Sequence, residues 1–278
     1  MPIELSTKFT GHVDEMFTTE SKKSLLTNTN FDWTGAHSIK VYKVTTSDMN
    51  DYGRNGPAAG NWSRYGAIKD LDATTQELTL TKDRSFTFAI DFLDEDETQR
   101  ALQSATALAR QLREIAIPEV DAYTYHIMTS LAGHKPAPTA LTAANIYDKI
   151  IEANNELDNS EVMEVGRSLV VTPDVYLLMK KNKDIIMETD IAQDMRLRGV
   201  IAMIDGMNVM KIPQGRLSPD FGFMIAHPVA TVAPTKLESY KVHENPPGIN
   251  GSLVEGRICY DAFVLDSKKN AIFYQEVT

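Results

Sequence analysis

The sequence of 278 residues predicts an α+β protein, and three patterns support this prediction. Between residues 94 and 133, apolar side chains recur every three or four positions, which is typical of one long amphipathic helix. Residues 38–47 and 77–90 instead alternate between two faces, which is typical of β-strands. From about residue 139 to residue 226, strand and helix patterns follow one another, as in an α/β segment.

The composition is ordinary for a soluble globular protein, with 42% hydrophobic and 24% charged residues. A chain of this length forms one large domain or two smaller ones. No apolar run is long enough to span a membrane, and the first 30 residues lack the apolar core of a signal peptide. With one cysteine, no internal disulfide is possible. The net charge of −10 disfavours tight binding of free nucleic acid by the surface as a whole.

The first 33 residues show no sustained periodicity and are rich in polar residues. We expect them to form an extended arm unless another surface, such as a neighbouring copy, holds them.

The two strands at 38–47 and 77–90 are separated by residues 48–76, which contain several glycines and the aromatic residues Tyr52, Trp62 and Tyr65. A loop this long inside a compact domain needs a function. We therefore expect a projecting hairpin whose tip contacts another subunit.

The long helix has signals at its start, its middle and its end. Asp94 is expected to cap the first turn, and Glu97 completes a pair that resembles a capping box. Pro118 has no backbone N–H, so the helix should break or kink near Ile117. Gly133 is expected to cap the C-terminal end and to open a linker over residues 133–138.

The second half of the chain predicts shorter elements. Thr142 is expected to cap a helix that carries Ile146, Ile150 and Leu157. The remaining predictions are a strand at 168–172, a helix at 173–181 capped by Thr172, a tight hairpin at Asp205-Gly206 between strands 200–204 and 207–212, a strand at 221–226, a loop at 243–252, and strands at 253–265 and 271–275, with a bulge at Gly256.

The search for enzyme chemistry finds no supporting motif. The sequence contains no phosphate loop, dinucleotide glycine fingerprint, nucleophile elbow or paired-histidine zinc helix. None of the six histidines pairs at ligand spacing, and the acidic run at 94–97 lacks the glycine of a calcium loop, so it fits a helix start better. We therefore expect no catalytic, cofactor-binding or metal-binding residues and no enzyme activity.

Six segments in collinear order carry a family resemblance. They are residues 39–54 (IKVYKVTTSDMNDYGR), 80–90 (LTKDRSFTFAI), 91–123 (ending in IPEVDAY), 166–176 (GRSLVVTPDVY), 205–216 (DGMNVMKIPQGR) and 256–273 (GRICYDAFVLDSKKNAIF). Together they make the chain resemble the major capsid proteins of tailed bacteriophages and prophages, which have the HK97-like fold. The resemblance implies an α+β capsid fold with an N-terminal arm, an E-loop hairpin, a peripheral domain built on a spine helix, and an axial domain.

The resemblance also implies a division of this chain and a set of contacts between subunits. The implied parts are the arm (1–33), the E-loop hairpin and its base (34–90), the peripheral domain with the spine helix (91–138), the axial domain (139–229) and the return strands of the peripheral domain (230–278). The implied contacts are Tyr52, Arg54, Trp62, Arg64 and Tyr65 at the tip of the E-loop, and Glu244, Asn245 and Asn250 in a peripheral loop where three subunits meet.

The implied function is structural. Hexamers and pentamers of the chain would form an icosahedral phage head that encloses double-stranded DNA without sequence-specific contacts, with no cofactor and no membrane. The location would be the virion, assembled in the cytoplasm of the bacterial host, with a portal. Little sequence precedes the arm, so we expect a separate scaffolding protein, or assembly without one. By analogy, an isopeptide bond between Lys69 and Asn250, with Glu255 nearby in sequence, can be proposed, but it requires a buried carboxylate in a geometry that the sequence does not show.

Three alternatives remain open at this stage. The first is the shell protein of an encapsulin-type nanocompartment, although encapsulins begin with a helix where this chain has a polar arm. The second, from another class, is a soluble α/β enzyme or ligand-binding protein with its pocket in residues 139–226. The third is another phage structural protein, such as a tail component, which would form tubes or rings.

Overall fold

The computed structural model describes residues 21–31, 38–44, 47–57, 60, 62–67, 70, 73–97, 104–182 and 200–278. These residues form two compact units, one within Gly35–Thr79 and the other containing residues 21–31 and those from Leu80 onward. The helices are α1 (Phe92–Glu97), α2 (Ser104–Gln111), α3 (Ile117–Ser130), α4 (Ile146–Asn159) and α5 (Pro173–Lys181). The strands are β1 (Ser38–Val44), β2 (Ala73–Thr79), β3 (Lys82–Asp91), β4 (Ser168–Val171), β5 (Val200–Ile204), β6 (Met207–Lys211), β7 (Phe221–Ala226), β8 (Thr231–Val232), β9 (Thr235–Glu244), β10 (Gly251–Tyr260), β11 (Phe263–Val264) and β12 (Ile272–Glu276).

The first unit is an antiparallel hairpin of β1 and β2, paired from Ser38 with Thr79 to Val44 with Ala73. The strand predicted at 38–47 is therefore confirmed over Ser38–Val44, and residues 45 and 46 lie outside the described residues. The prediction of a single strand over 77–90 is wrong, because β2 and β3 are separate strands. The N–H and the hydroxyl of Thr81, between the two strands, donate to the carboxylate of Asp261 at 2.7 and 2.8 Å. These bonds take the place of strand pairing at that residue.

The spine helix differs from its prediction at both ends. It begins at Phe92, because the carboxylate of Asp91, not that of Asp94, accepts the N–H of Leu93 at 2.8 Å. It ends at Ser130, and Gly133 does not cap it; the N–H of Gly133 instead donates to the carbonyl of Lys269 at 2.9 Å. Residues 98–103, which carry part of the predicted apolar stripe, lie outside the described residues.

Pro118 does not break the helix. A π-helical turn, Leu112–Ala116, joins α2 to α3. The N–H of Ile117 bonds to the carbonyl of Leu112, five residues back. This wider turn places Pro118 at the start of α3, where a missing N–H donor costs little.

A three-stranded antiparallel sheet in the order β3-β10-β9 lies beside the helix. The bulge predicted at Gly256 is wrong, since Gly256 pairs in regular register with Phe86 and Tyr240, and the register shift falls between Cys259 and Tyr260. The ring of Phe86 covers Gly256 so closely that an added Cβ would lie 2.2 Å from it. Strand β9 was not predicted, and it shortens the predicted loop at 243–252. The strand predicted at 253–265 ends at Tyr260, and β11 is a separate short strand.

A five-stranded sheet in the order β12-β7-β4-β6-β5 forms the centre of the second unit, with β4 and β6 parallel and the other pairs antiparallel. One apolar core lies between this sheet and the helices α4 and α5, and the other contains side chains of α3. The strand β4 is buried on both faces. Leu169 and Val171 lie in the core with α4 and α5, and Val170 lies in the core with α3. The predicted strand at 168–172 is thus confirmed within one residue.

Local signals in this unit predicted several elements correctly. The hydroxyl of Thr172 accepts the N–H of Val175 at 3.1 Å and caps α5 as predicted. Asp205 and Gly206 adopt φ angles of 49° and 74° in the predicted hairpin. The helix α4 buries Ile146, Ile150 and Leu157 as predicted, but Thr142 is not its N-cap residue. That position is Asn145, and Thr142 lies in the preceding turn.

The described part of the predicted arm, residues 21–31, packs on its own chain; we call it the N-terminal strap. Leu26 is fully buried in the core that contains α3, and the N–H of Asn28 donates to the carbonyl of Thr231 at 2.7 Å. The surface that holds this part of the arm is therefore one of its own chain. The rest of the predicted arm lies outside the described residues. Among the helices described, none combines the length and the apolar character needed to cross a bilayer.

Candidate inter-subunit surfaces

The loop of the hairpin unit is closed by contacts within itself. The N–H of Gly53 donates to the carbonyl of Arg64 at 2.9 Å, and the rings of Tyr52 and Tyr65 meet edge to face with their centroids 5.0 Å apart. Gly66 has a φ of +93°, and an added Cβ would lie 2.7 Å from the side chain of Asn50. These contacts hold the two limbs of the loop side by side.

The predicted tip residues are all exposed in this loop. Trp62 is 82% exposed, Tyr65 77% and Tyr52 51%, and Arg54 and Arg64 are also exposed. Aromatic residues and arginine are the types most enriched at the energetic centres of protein interfaces. Exposed apolar surface of this size marks an interaction site more often than a solvated loop. The unit can therefore offer a partner large apolar rings together with guanidinium donors.

Met49, which sequence reasoning did not single out, lies in the same loop and is 98% exposed. Its position within the glycine-rich stretch between the two strands was the available signal, because a long apolar side chain there has little local core to enter. It extends the apolar surface of the tip.

The second predicted surface is the loop between β9 and β10. Glu244, Asn245 and Asn250 are exposed in this loop. The N–H of Asn245, which has a φ of 48°, donates to the carbonyl of Gly251 at 2.8 Å. The carbonyl of Asn250 accepts the N–H of Phe92 at 3.1 Å, so the loop is tied to the start of α1.

Apolar side chains flank this loop at the start of α1. Phe92 is 42% exposed and Leu93 62% exposed, directly before the acidic run at 94–97. Only a helix start was predicted for this segment, and the exposed side chains of Phe92 and Leu93 were not recognised as a surface.

Lys69 lies outside the described residues, so the bond between Lys69 and Asn250 stays a prediction. The carboxylate of Glu255 lies 3.3 Å from the imidazole of His243.

A buried ion pair joins α3 to other segments of the second unit. The guanidinium of Arg216 lies 2.9 Å from the carboxylate of Asp121, and the two side chains are 7% and 1% exposed. The hydroxyl of Ser21 in the N-terminal strap donates to the same carboxylate at 2.6 Å. Burial raises the pKa of Asp121 above its ordinary value, and the hydrogen bonds from Ser21 and Arg216 act in the opposite direction. One carboxylate thus joins α3, the strap and the turn at Arg216.

One group of side chains has the composition of a catalytic triad. The hydroxyl of Ser160 lies 3.0 Å from Nε2 of His134, and Nδ1 of that ring lies 3.9 Å from Glu156. The N–H groups of Ser160, Glu161 and Val162 all donate to carbonyls of the preceding helix, so they are not available to stabilise an oxyanion. These three N–H groups therefore cannot form an oxyanion hole beside Ser160. Over the described ranges, no three His, Cys, Asp or Glu side chains are grouped to hold a metal ion.

Neither a protein-family model nor a curated protein matches the sequence. Solved structures do match the fold. The capsid structure of the cyanophage P-SCSP1u has a TM-score of 0.71 at 14% identity, covering 99% of this chain and 93% of that chain. The mature capsid of bacteriophage PhiM1 has a TM-score of 0.69 at 14% identity, covering 99% and 92%. A virus-like particle from Pyrococcus furiosus has a TM-score of 0.52 at 11% identity, covering 87% and 86%.

These likenesses confirm the fold predicted from the sequence. The chain has the HK97-like capsid fold, and the match extends over nearly the whole chain in both phage structures.

Proposed function

We propose that this chain is the structural major capsid protein of a tailed bacteriophage or prophage, which assembles into hexamers and pentamers of an icosahedral head around double-stranded DNA. The observation that carries the proposal is the fold likeness to phage capsid structures over 99% of the chain. A fold alone does not fix a function. The exposed aromatic and arginine side chains of the hairpin tip support the same proposal, because they suit a protein that binds copies of itself.

In this proposal the parts of the chain take the roles implied by the resemblance: arm (1–33), E-loop hairpin (34–90), peripheral domain (91–138 and 230–278) and axial domain (139–229). The tip residues Tyr52, Arg54, Trp62, Arg64 and Tyr65 contact a neighbouring subunit. The loop with Glu244, Asn245 and Asn250 lies where three subunits meet. Its attachment to α1 supports this role, because a contact surface is more useful when it is rigid.

The work of such a protein is mechanical. Each contact between subunits is modest, but every chain makes several contacts, so a closed lattice gains stability from their number. We also propose a separate scaffolding protein, a portal and packaged DNA as partners. The protein would be located in the virion after assembly in the bacterial cytoplasm.

Substitution at the hairpin tip tests the proposal. Trp62→Ala combined with Tyr65→Ala removes two exposed rings that make no contribution to the core of the second unit. If each ring is an interface hot spot of about 2 kcal/mol, the contact weakens roughly thirtyfold per ring. Sedimentation velocity should then show rings or shells for the wild type and small species for the double variant at the same concentration.

The matched control is Val165→Ala, which changes another side chain that is 88% exposed, in the second unit. This control should assemble like the wild type. Equal assembly of the tip variant and the control would contradict the role of the tip.

The contents of purified particles separate the proposal from its first alternative. The fold likeness to the virus-like particle from Pyrococcus furiosus favours the alternative of a nanocompartment shell, although its TM-score is lower than those of the phage capsids. DNA inside the particles supports a phage head, and an enzyme cargo supports an encapsulin-type shell. Open tubes would favour a tail component, and a persistent monomer would favour a ligand-binding protein or enzyme.

A further inference from the structure

Two lysine side chains lie over one aromatic ring in the second unit, and a third lysine reaches the backbone of one of them. The ammonium nitrogen of Lys180, in the last turn of α5, lies 5.6 Å from the ring centroid of Tyr176. The ammonium nitrogen of Lys211, at the end of β6, lies 5.4 Å from the same centroid. The ammonium group of Lys22, in the N-terminal strap, donates to the carbonyl of Lys211 at 3.0 Å. A helix, a strand and the strap thus bring three positive charges to one place, which we call the lysine patch (Lys22, Lys180 and Lys211).

The patch is electrostatically costly as it stands. Burial lowers the pKa of Lys22, and the positive charges of Lys211 and Arg216 lower it further. None of the three ammonium groups is within ion-pair distance of a carboxylate in the part of the chain that the structure describes. Arg216 shares its charge with the buried Asp121. Like charges held together in this way favour binding of an anion, because an anion relieves their repulsion.

Local structure explains only part of this arrangement. Lys180 near the C-terminal end of α5 complements the helix dipole, and its stem covers the ring of Tyr176. Lys211 also lies over the ring of Tyr176, but neither Lys22 nor Lys211 is at a helix end, and neither reason accounts for Lys22. The described carboxylate on the same helix, Asp174, is six residues before Lys180, or about 9 Å along the helix axis.

The overall charge of the chain does not oppose a local anion site. The net charge is −10, but charges on solvent-exposed surfaces are largely screened beyond about 10 Å at 0.1 M salt. A ligand at the patch therefore responds mainly to the lysines. Separate ammonium groups on flexible stems fit phosphates that follow one another along a backbone, and they read no base sequence.

We infer that Lys22, Lys180 and Lys211 form a contact site for the phosphate backbone of double-stranded DNA. The inference rests on the proposed function, which supplies DNA as the polyanion, and it adds the residues that would contact it. Binding is independent of sequence and depends strongly on salt. A single chain binds weakly, and the many copies in a shell act together on one packaged molecule.

The test measures binding of the full chain to a labelled 20-base-pair duplex by fluorescence anisotropy, between 25 and 200 mM salt. Lys22→Gln, Lys180→Gln and Lys211→Gln are combined in one variant. Each phosphate contact contributes about 0.9 to the slope of log affinity against log salt concentration, so the slope should fall by about 2.7. The double variant Lys180→Gln with Lys211→Gln leaves the half-buried Lys22 intact and should lower the slope by about 1.8.

The matched control removes three exposed lysines from elsewhere on the described surface, Lys40→Gln, Lys241→Gln and Lys268→Gln. It makes the same change in net charge and should keep the wild-type slope. Equal loss in the control and the patch variant, or no duplex binding by the wild type at 25 mM salt, would overturn the inference. Tighter binding of poly-glutamate than of the duplex, lost in the patch variant, would overturn it in favour of an acidic protein segment.

Measuring assembly separates a failure of the inference about the lysine patch from a failure of the proposed function. If the patch variant forms shells like the wild type but binds DNA with an unchanged slope, only the lysine patch is wrong. If the wild type forms no shells, the proposed function is wrong, and the anisotropy measurement still reports on the patch.

Discussion

Breaking the ion pair between Asp121 and Arg216 should destabilise the fold far more than breaking an exposed ion pair. Both side chains are nearly excluded from solvent and lie 2.9 Å apart. Asp121→Ala would leave the guanidinium of Arg216 buried without its carboxylate, and it would also remove the acceptor of the Ser21 hydroxyl. The cost is therefore that of a buried charge that has lost the Asp121 carboxylate, not only that of a lost contact.

The magnitude follows from burial and chain length. Removing one member of a buried ion pair costs about 3–5 kcal/mol. An unfolding entropy of about 2.1 cal/mol/K per residue gives roughly 0.6 kcal/mol/K for this chain. The unfolding temperature should therefore fall by about 5–9 °C in Asp121→Ala. Replacing both partners by apolar residues, as Asp121→Leu with Arg216→Met, should recover most of the loss because no charge stays buried alone.

Differential scanning calorimetry at a concentration where the protein is monomeric measures these differences. The control is Asp83→Ala, which breaks an ion pair with Arg257 whose side chains are 46% and 59% exposed. That pair is solvated, so its loss should leave the unfolding temperature close to that of the wild type. An effect of Asp121→Ala no larger than that of Asp83→Ala would refute the reasoning, as would a double apolar variant less stable than either single variant.

Three further predictions concern pH, packing and capping. Burial lowers the pKa of His227 below 6.5, so the imidazole binds a proton more tightly in the unfolded chain than in the folded one. The free energy of unfolding should therefore fall as the pH drops below 6.5. His227→Gln should weaken this dependence of the unfolding free energy on pH, as measured by urea titrations at several pH values. Gly256→Ala should cost about 1–3 kcal/mol because the ring of Phe86 occupies the space, whereas Gly215→Ala, which meets open space, should change urea stability much less. Thr172→Ala should cost about 1 kcal/mol through loss of the helix cap, and Thr172→Ser should restore it in the same assay.

Elements fixed by neighbouring residues were predicted well from the sequence. The cap of Thr172 on α5 acts over three residues, and the turn at Asp205-Gly206 needs only the two backbone conformations that these residues tolerate. The strand β4 was found because an unbroken apolar run bounded by a helix start permits few other structures.

Elements that depend on distant partners were predicted poorly. The interruption between β2 and β3 depends on Asp261, which is 180 residues from Thr81 in sequence. The strand β9 is held by pairing with β10, and its few apolar residues fall on both faces, so no period of two was visible. The sequence contains no local sign that Asp121 and Arg216, 95 residues apart, form a buried pair.

Among the candidate surfaces, too, those fixed by neighbouring residues were predictable and those that depend on distant residues were not. Exposure of Trp62 and its neighbours was predictable, because a long loop with aromatic residues has little local core in which to bury them. The lysine patch was not predictable, since it needs α5 and β6 to meet at Tyr176 and the strap to reach the carbonyl of Lys211.

Sedimentation velocity of the purified wild-type protein, with electron micrographs of its fastest fraction, shows whether this chain forms shells. We expect closed particles, or rings of five and six subunits, built from the 31.0 kDa chain. A single species of 31.0 kDa that persists at high concentration and with crowding agents would show that the chain is not a shell protein.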